Sequence, residues 1–346
     1  MTSINRRVFL AGSLVLLGLL AGPTPATADD KIVLKLATVA PVKTPWANLL
    51  KEFKTNVETK SRGRIQVNVF LGGALGDENE SVRMLARGQI QGVGVSTGSL
   101  ATLVRELEAI ESPFLFRNAQ EADYVLDKFL TDHVDAAFRA KGMVFGFWSE
   151  NGFRHFGARW GAVKTPADLR GRKVRSQEAD VHIQMWKALG AAASAIPTTE
   201  VSTALKTSAV DGFDQALLFA IAAGWHTQIS HLTLSAHIYQ PAAIAFNKAW
   251  FDKLPADLQA VLIDEGRALT RKGRTAIRNM NPKLVKVIES AKVTLHTLTP
   301  AERAAFETAT AGVRASMKST YPAIFAKIEQ GLAEYRAKAG GKRAAN

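Results

Sequence analysis

The chain has 346 residues, 47% of them hydrophobic, a formal net charge of +13 and no cysteine. That length allows two lobes of ~100 to 200 residues each, and the missing cysteine excludes disulfides, thiol nucleophiles and cysteine-held metals. The basic residues are scattered among acids along amphipathic segments, with no basic run interleaved with aromatics, which argues against nucleic acid and for a weak general attraction toward anionic solutes.

The chain opens with a short polar region ending in Arg6-Arg7, then an apolar run reaching Leu20, then Gly22, Pro23 and Pro25. The run is too short to cross a bilayer, which takes ~20 apolar residues. Ala26-Thr27-Ala28 ahead of Asp29-Asp30 fits the small-x-small pattern of signal-peptidase cleavage. A signal peptide over residues 1–28 is therefore expected, with export to the periplasm. Arg6-Arg7-Val8-Phe9-Leu10 resembles a twin-arginine signal, and general secretion is the alternative route. No cysteine follows the signal to carry a lipid anchor, so a diffusible protein is expected; a monomer is expected as well.

Strands are predicted over Ile32–Val39, Ile65–Val69 and Ile90–Val95, with helices from Pro45 and from Asp77 to Arg87 between them. The first helix places Trp46, Leu49, Leu50, Phe53 and Val57 on one face. The alternation resumes with strands at Met143–Trp148 and Lys173–Arg175 and helices at Val181–Leu189 and Thr199–Lys206, with the short apolar stretch Ala192–Ile196 between the helices. Beyond Pro255 the pattern predicts a long helical stretch to Ser290, one strand at Val293–Leu298, and two helices from Pro300 to about Ala337 before a basic tail, 338–346. This is an α/β chain whose alternation builds a parallel sheet with helices on both faces. The expected organisation is residues 29–150 mainly in lobe 1, 151–245 mainly in lobe 2, and 246–337 bracing both, with a ligand cleft between the lobes.

Two arginines stand where a carboxylate trap is physically sensible. Arg154 lies in Gly152-Phe153-Arg154 after a β-like run, and Arg175 ends a short strand just before a helix. A guanidinium offers two parallel donors to a carboxylate, and a helix N-terminus adds partial positive charge. Spacing alone favours ordinary surface arginines.

The stretch Thr165-Pro166-Ala167-Asp168-Leu169-Arg170-Gly171-Arg172-Lys173-Val174-Arg175, followed by Leu189-Gly190-Ala191, Ile196-Pro197, Glu200-Val201, Ala204-Leu205 and Val210-Asp211-Gly212, resembles the signature of TRAP transporter solute receptors. Leu71-Gly72-Gly73-Ala74-Leu75-Gly76-Asp77 and the run from Trp250 to Gln259 are similar to further elements of that family, in its order. The resemblance implies a type II-like periplasmic solute-binding fold that closes on an organic carboxylate and delivers it to a membrane permease pair, with no cofactor, metal or catalysis. It also implies that Arg175 forms the main ion pair with the ligand, with Arg154 assisting. Where relatives carry Gln-Glu-Asn, this chain has Phe213-Asp214-Gln215: Gln215 is expected to donate to the ligand, Phe213 to add an apolar wall, and Asp214 to bind a hydroxyl or cation or to repel an anion. Ser96 stands where some sugar-acid receptors use a glutamate. Trp148, Trp225 and Tyr239 are candidate aromatic walls.

Two other readings compete. Gly94-Val95-Ser96-Thr97-Gly98 matches the nucleophile elbow of a secreted serine hydrolase, and the two-lobed fold is shared with binding proteins of ATP-driven importers. A zinc site from His226, His231 and His237 is disfavoured by their spacing.

Overall fold

The structure, a computed structural model, describes residues 31–344, so the predicted signal segment lies outside the described residues. Strand β1 (Ile32–Ala37) buries Leu34 and Leu36 completely. After it, the Thr44 hydroxyl accepts from the Ala47 N–H and Pro45 occupies the first turn, which together start the helix Pro45–Lys60. That helix buries the apolar face its spacing predicts, from Trp46 to Val57. Strand β2 (Ile65–Phe70), the Asp77-capped helix Glu78–Ala86 and β3 (Gly92–Ser96) follow as expected.

Two strands decide the architecture. β4 (Met143–Ala158) has 16 residues and β8 (His231–Asn247) has 17, and they pair antiparallel along their length. At ~3.3 Å per residue each reaches roughly 50 Å. At one end, β8 pairs with β3 through Ala242–Phe246, and β1 joins β3 to β2. At the other, β7 (Gly212–Ala216) pairs with Arg154–Ala158 of β4 and carries β5 (Lys173–Ser176) and β6 (Ala192–Ala195), while β9 (Thr294–Thr297) pairs with His231–Leu234 of β8. The result is one sheet in the order β2-β1-β3-β8-β4-β7-β5-β6, with β9 on β8, and two lobes built on its two halves.

The expectation of a parallel sheet is corrected here. The β3–β8, β4–β8 and β4–β7 pairings are antiparallel, because the two long strands cross between lobes in opposite directions. β4 does not end at Trp148. It continues through Ser149-Glu150-Asn151-Gly152, which look like turn residues, by means of a register shift between Glu150 and Gly152. Gly152 has φ +99°, a backbone conformation that glycine adopts without steric cost.

The helical stretch after Pro255 is two helices, Ala256–Arg278 and Asn281–Ser290, the second with proline in its first turn. Helix Pro300–Thr320 starts with a Thr299/Glu302 capping box and spans both lobes. Its Phe306 packs with Phe156 and Trp186 of the second, whereas Val313 and Met317 join the core around Leu107 and Phe138 of the first. The last helix, Pro322–Ala344, runs beyond the expected end near Ala337. Among the described residues no helix is long and apolar enough to cross a membrane.

Candidate functional site

A cavity lies where β4 and β8 cross between lobes, lined from both lobes and open at its mouth. Lobe 1 lines it with Thr38, Val39, Ala40, Trp46, Leu49, Leu50, Glu78, Gly94 and Val95. The crossing strands supply Ser149, Asn151, Gln240, Ala242, Ala243 and Ile244, and lobe 2 supplies Gln177, Thr198, Gln215 and Phe219.

Arg175, next to last in β5, sits one hydrogen bond behind this wall. Its Nε donates to the Ile196 carbonyl at 2.9 Å, and its Nη2 donates to Thr198 Oγ1 at 3.3 Å. The guanidinium lies over the Trp225 ring, 5.5 Å from its centroid. Nη1 is buried and has no protein partner among the described residues. Burial, with the nearby Arg154 charge adding to it, pushes this guanidinium down to about 10. A buried cationic donor left unpaired is costly, so the position is poised for an anionic acceptor.

Arg154 has a different place. Its Nε donates to Asp214 Oδ2 at 2.5 Å and its Nη2 to the Asp214 carbonyl at 2.7 Å. Its Nη1 reaches the amide oxygens of Gln177, Gln215 and Gln240 at 3.1, 3.2 and 2.8 Å. Arg154 is thus a buried hub that orients three cavity glutamines, and it does not line the cavity itself. Burial works against the Asp214 carboxylate, but the Arg154 charge and a hydrogen bond with His237 hold it well below the usual range. Asp214 is therefore the counter-ion of Arg154 and not a cavity wall.

Gln215 does line the cavity. Its Oε1 is occupied by Arg154 and by the Ala216 N–H, and its amide nitrogen has no protein partner among the described residues. The Gln177 amide nitrogen crosses between lobes to Ser96 Oγ at 3.0 Å. Gln240 donates to Gln177 and to Glu111, whose other partners are Thr97 and His182. Glu111 stays below its ordinary value: burial opposes this, and His182, Thr97 and the Arg154 charge together outweigh it.

Ser96 caps the helix Thr97–Leu100, so the strand-turn-helix context of its motif is real. Its hydroxyl, however, contacts Glu78 at 2.7 Å, Ser99 and Gln177, with no histidine among its partners. The hydroxyl therefore lacks the base a nucleophile needs. Burial pushes the Glu78 carboxyl up although Ser96 and Ser99 hydrogen-bond to it.

The candidate aromatic walls divide. Trp225 backs Arg175 from the core, edge-on to Phe213 and Phe219. Phe213 is fully buried in that same core and does not reach the cavity. Trp148 packs on Phe145 and donates to Thr131, on the face opposite Ser149, and Tyr239 packs between Phe116 and Phe153, on the face opposite Gln240. Strand alternation turns both rings away from the cavity. The aromatic walls are instead Trp46 and Phe219, 6.2 Å apart. Phe219 lies in a short helix after β7 and was not singled out from the sequence; nor were Gln177, Gln240, Glu78 and Thr198.

Bacterial extracellular solute-binding protein, family 7 (DctP), matches residues 36–320. The chain belongs to this family. A solute-binding protein of Verminephrobacter eiseniae is 35% identical over 78% of this chain and 80% of its own length. The sugar acid binding protein DctPAm of Advenella mimigardefordensis, in complex with galactonate, is similar at TM-score 0.83 and 28% identity, over 87% of this chain and 97% of that one. A TRAP periplasmic solute binding protein of Polaromonas bound to D-erythronate is similar at TM-score 0.83 and 25% identity, over 88% and 99%. DctP membership places the chain among solute receptors of the TRAP type, above the hydrolase and ATP-driven importer readings.

Proposed function

We propose that this chain captures an organic carboxylate between its lobes and delivers it to the membrane subunits of a TRAP transporter, making and breaking no bond. The observation that carries the reading is the buried, unpartnered Nη1 of Arg175 beside the interlobe cavity. The ligand carboxylate takes that donor, and the Gln215 amide nitrogen completes the polar contact. Arg154 acts through Gln215 and Asp214 and does not touch the ligand. In this reading β1–β3 with their helices form lobe 1, β5–β7 and β9 form lobe 2, and the register shift at Glu150/Gly152 lies where the lobes hinge. Ligand contacts with both lobes favour the closed member of a pre-existing equilibrium. The segment 1–28 exports the chain and is removed, leaving a periplasmic carrier.

Calorimetric titration of the mature protein with organic acids tests this. Arg175→Ala is expected to lose ~2 to 5 kcal/mol of binding free energy, the range for truncating one partner of a buried charge pair. Unchanged affinity in that variant overturns the assignment.

A further inference from the structure

We infer that the captured acid is a monocarboxylate with a compact apolar body, and not a polyhydroxylated sugar acid or a dicarboxylate; this rests on the carboxylate reading of the cavity. The two walls of the cavity are unlike. Trp46, Leu49, Leu50 and Val95 of lobe 1, Ile244 of β8 and Phe219 of lobe 2 present hydrocarbon.

Several of the polar side chains on the wall are committed to the protein. Gln240 is used on both its oxygen and its nitrogen, by Arg154, Asn151, Glu111 and Gln177. Gln177 is likewise used by Arg154, Gln240 and Ser96. The Trp46 indole N–H donates to the Glu150 carbonyl at 2.7 Å, and the Glu78 oxygens are taken by Ser96 and Ser99. What remains for a ligand is Thr198 and the Gln215 amide near Arg175, the Thr38 hydroxyl, and Ser149 and the Asn151 oxygen on the crossing strands, fewer groups than a sugar acid's hydroxyls and carboxylate can use. A sugar acid carries several hydroxyls, and each one buried without a partner costs about tenfold or more in affinity. Each methylene moved from water onto the apolar wall gains about threefold to fourfold.

Charge gives the second restriction. Arg154 is neutralised by Asp214, so Arg175 is the cation left for the ligand at this wall. A second carboxylate reaching toward lobe 1 finds no cation, because among the described residues no lysine, arginine or histidine lines the cavity there and its one ionisable side chain is the buried Glu78. One carboxylate is accommodated and two are not.

The test is a calorimetric titration of the mature protein with 4-methylpentanoate, phenylacetate, galactonate and succinate, alongside Val95→Thr, which keeps the shape of the wall and adds a hydroxyl. At least one apolar acid is expected to bind tenfold or more tighter than galactonate and succinate, and Val95→Thr to weaken it about fivefold or more. Tighter binding of galactonate or succinate overturns this inference and leaves the carboxylate reading standing. Apolar acids that bind the variant and the parent equally overturn the placement of the body on this wall. If none of the four acids binds, the carboxylate reading falls and this inference with it.

Discussion

Arg154 Nε and Asp214 Oδ2 are 2.5 Å apart, and neither side chain reaches solvent. The pair sits where β4 meets β7, behind three glutamines of the cavity wall, so it belongs to the support of the site.

That placement predicts the consequence of breaking it. Arg154→Ala leaves Asp214 buried without its cation and removes a shared donor from Gln177, Gln215 and Gln240. The expected loss is about 3 to 5 kcal/mol of folding stability, measured by urea unfolding near neutral pH. Arg154→Met combined with Asp214→Asn is expected to recover most of it, because no charge is left unpaired. A loss below about 1 kcal/mol for Arg154→Ala counts against the hub.

Arg175 is expected to behave in the opposite way. Its Nη1 has no partner, and burial disfavours its charge. Arg175→Met replaces a poorly satisfied buried cation with an apolar side chain of similar length. Calorimetric melting of the ligand-free protein is expected to give a Tm no lower than that of the parent, while carboxylate binding is lost. Such opposition between stability and function is common at binding sites. A markedly lower Tm would mean that the bonds to Ile196 and Thr198 outweigh the unpaired charge.

Much of this fold was legible in the sequence. The spacing from Trp46 to Val57 found the first helix, and β1, β2, β3 and β5 fall within a residue or two of their predicted places. The long strands were not legible. β4 carries Ser149-Glu150-Asn151-Gly152 through its middle, and β8 carries Gln240-Pro241, signals that normally end a strand. They persist because their polar groups face the cavity or buried ion pairs, as Glu150 does with Arg278. In the site, it was the resemblance to the solute-receptor family, not local spacing, that singled out Arg175 and Gln215. Trp148 and Tyr239 were close in sequence to lining residues but one step out of phase with Ser149 and Gln240, which two-residue alternation, once β4 and β8 are known, resolves. Glu111, His182 and His237 come from separate elements, and nothing local marks them as partners.

Glu78 gives the structure a pH dependence of definite sign. Burial pushes its carboxyl above the ordinary value of 4.5, and the Glu111 charge adds to this despite bonds from Ser96 and Ser99. A raised folded value means that the full stabilisation is present below about 4.5 and is lost as pH rises through the folded value. Asp214 has the reverse sign, with stability lost as pH falls below its ordinary 3.8. Glu78→Gln keeps an acceptor for the Ser96 N–H and removes the charge. Its urea midpoint is expected to exceed that of the parent at about pH 8, with the two converging below about pH 4.5. A difference constant across pH contradicts the buried-carboxyl cost.

Gly266 tests the packing that holds the helix Ala256–Arg278 against β4. A Cβ built at this position lies 2.0 Å from Phe147 Cδ1, and the Phe147 ring is itself buried against Phe53 at 5.5 Å between centroids. Two effects compete in Gly266→Ala. Helix propensity favours alanine by about 1 kcal/mol, whereas overpacking a closed core costs about 1 to 3 kcal/mol. The overlap is with a ring enclosed on its other side, so Phe147 cannot swing into solvent and the helix must move outward. Overpacking is therefore expected to win, with a net loss of about 1 to 2 kcal/mol in urea unfolding. Coupling to Phe147 separates this from a general helix effect: Gly266→Ala in a Phe147→Leu background is expected to be neutral or stabilising, because the smaller side chain admits the methyl group. If the alanine destabilises both backgrounds equally, the close approach to Phe147 is not what requires glycine.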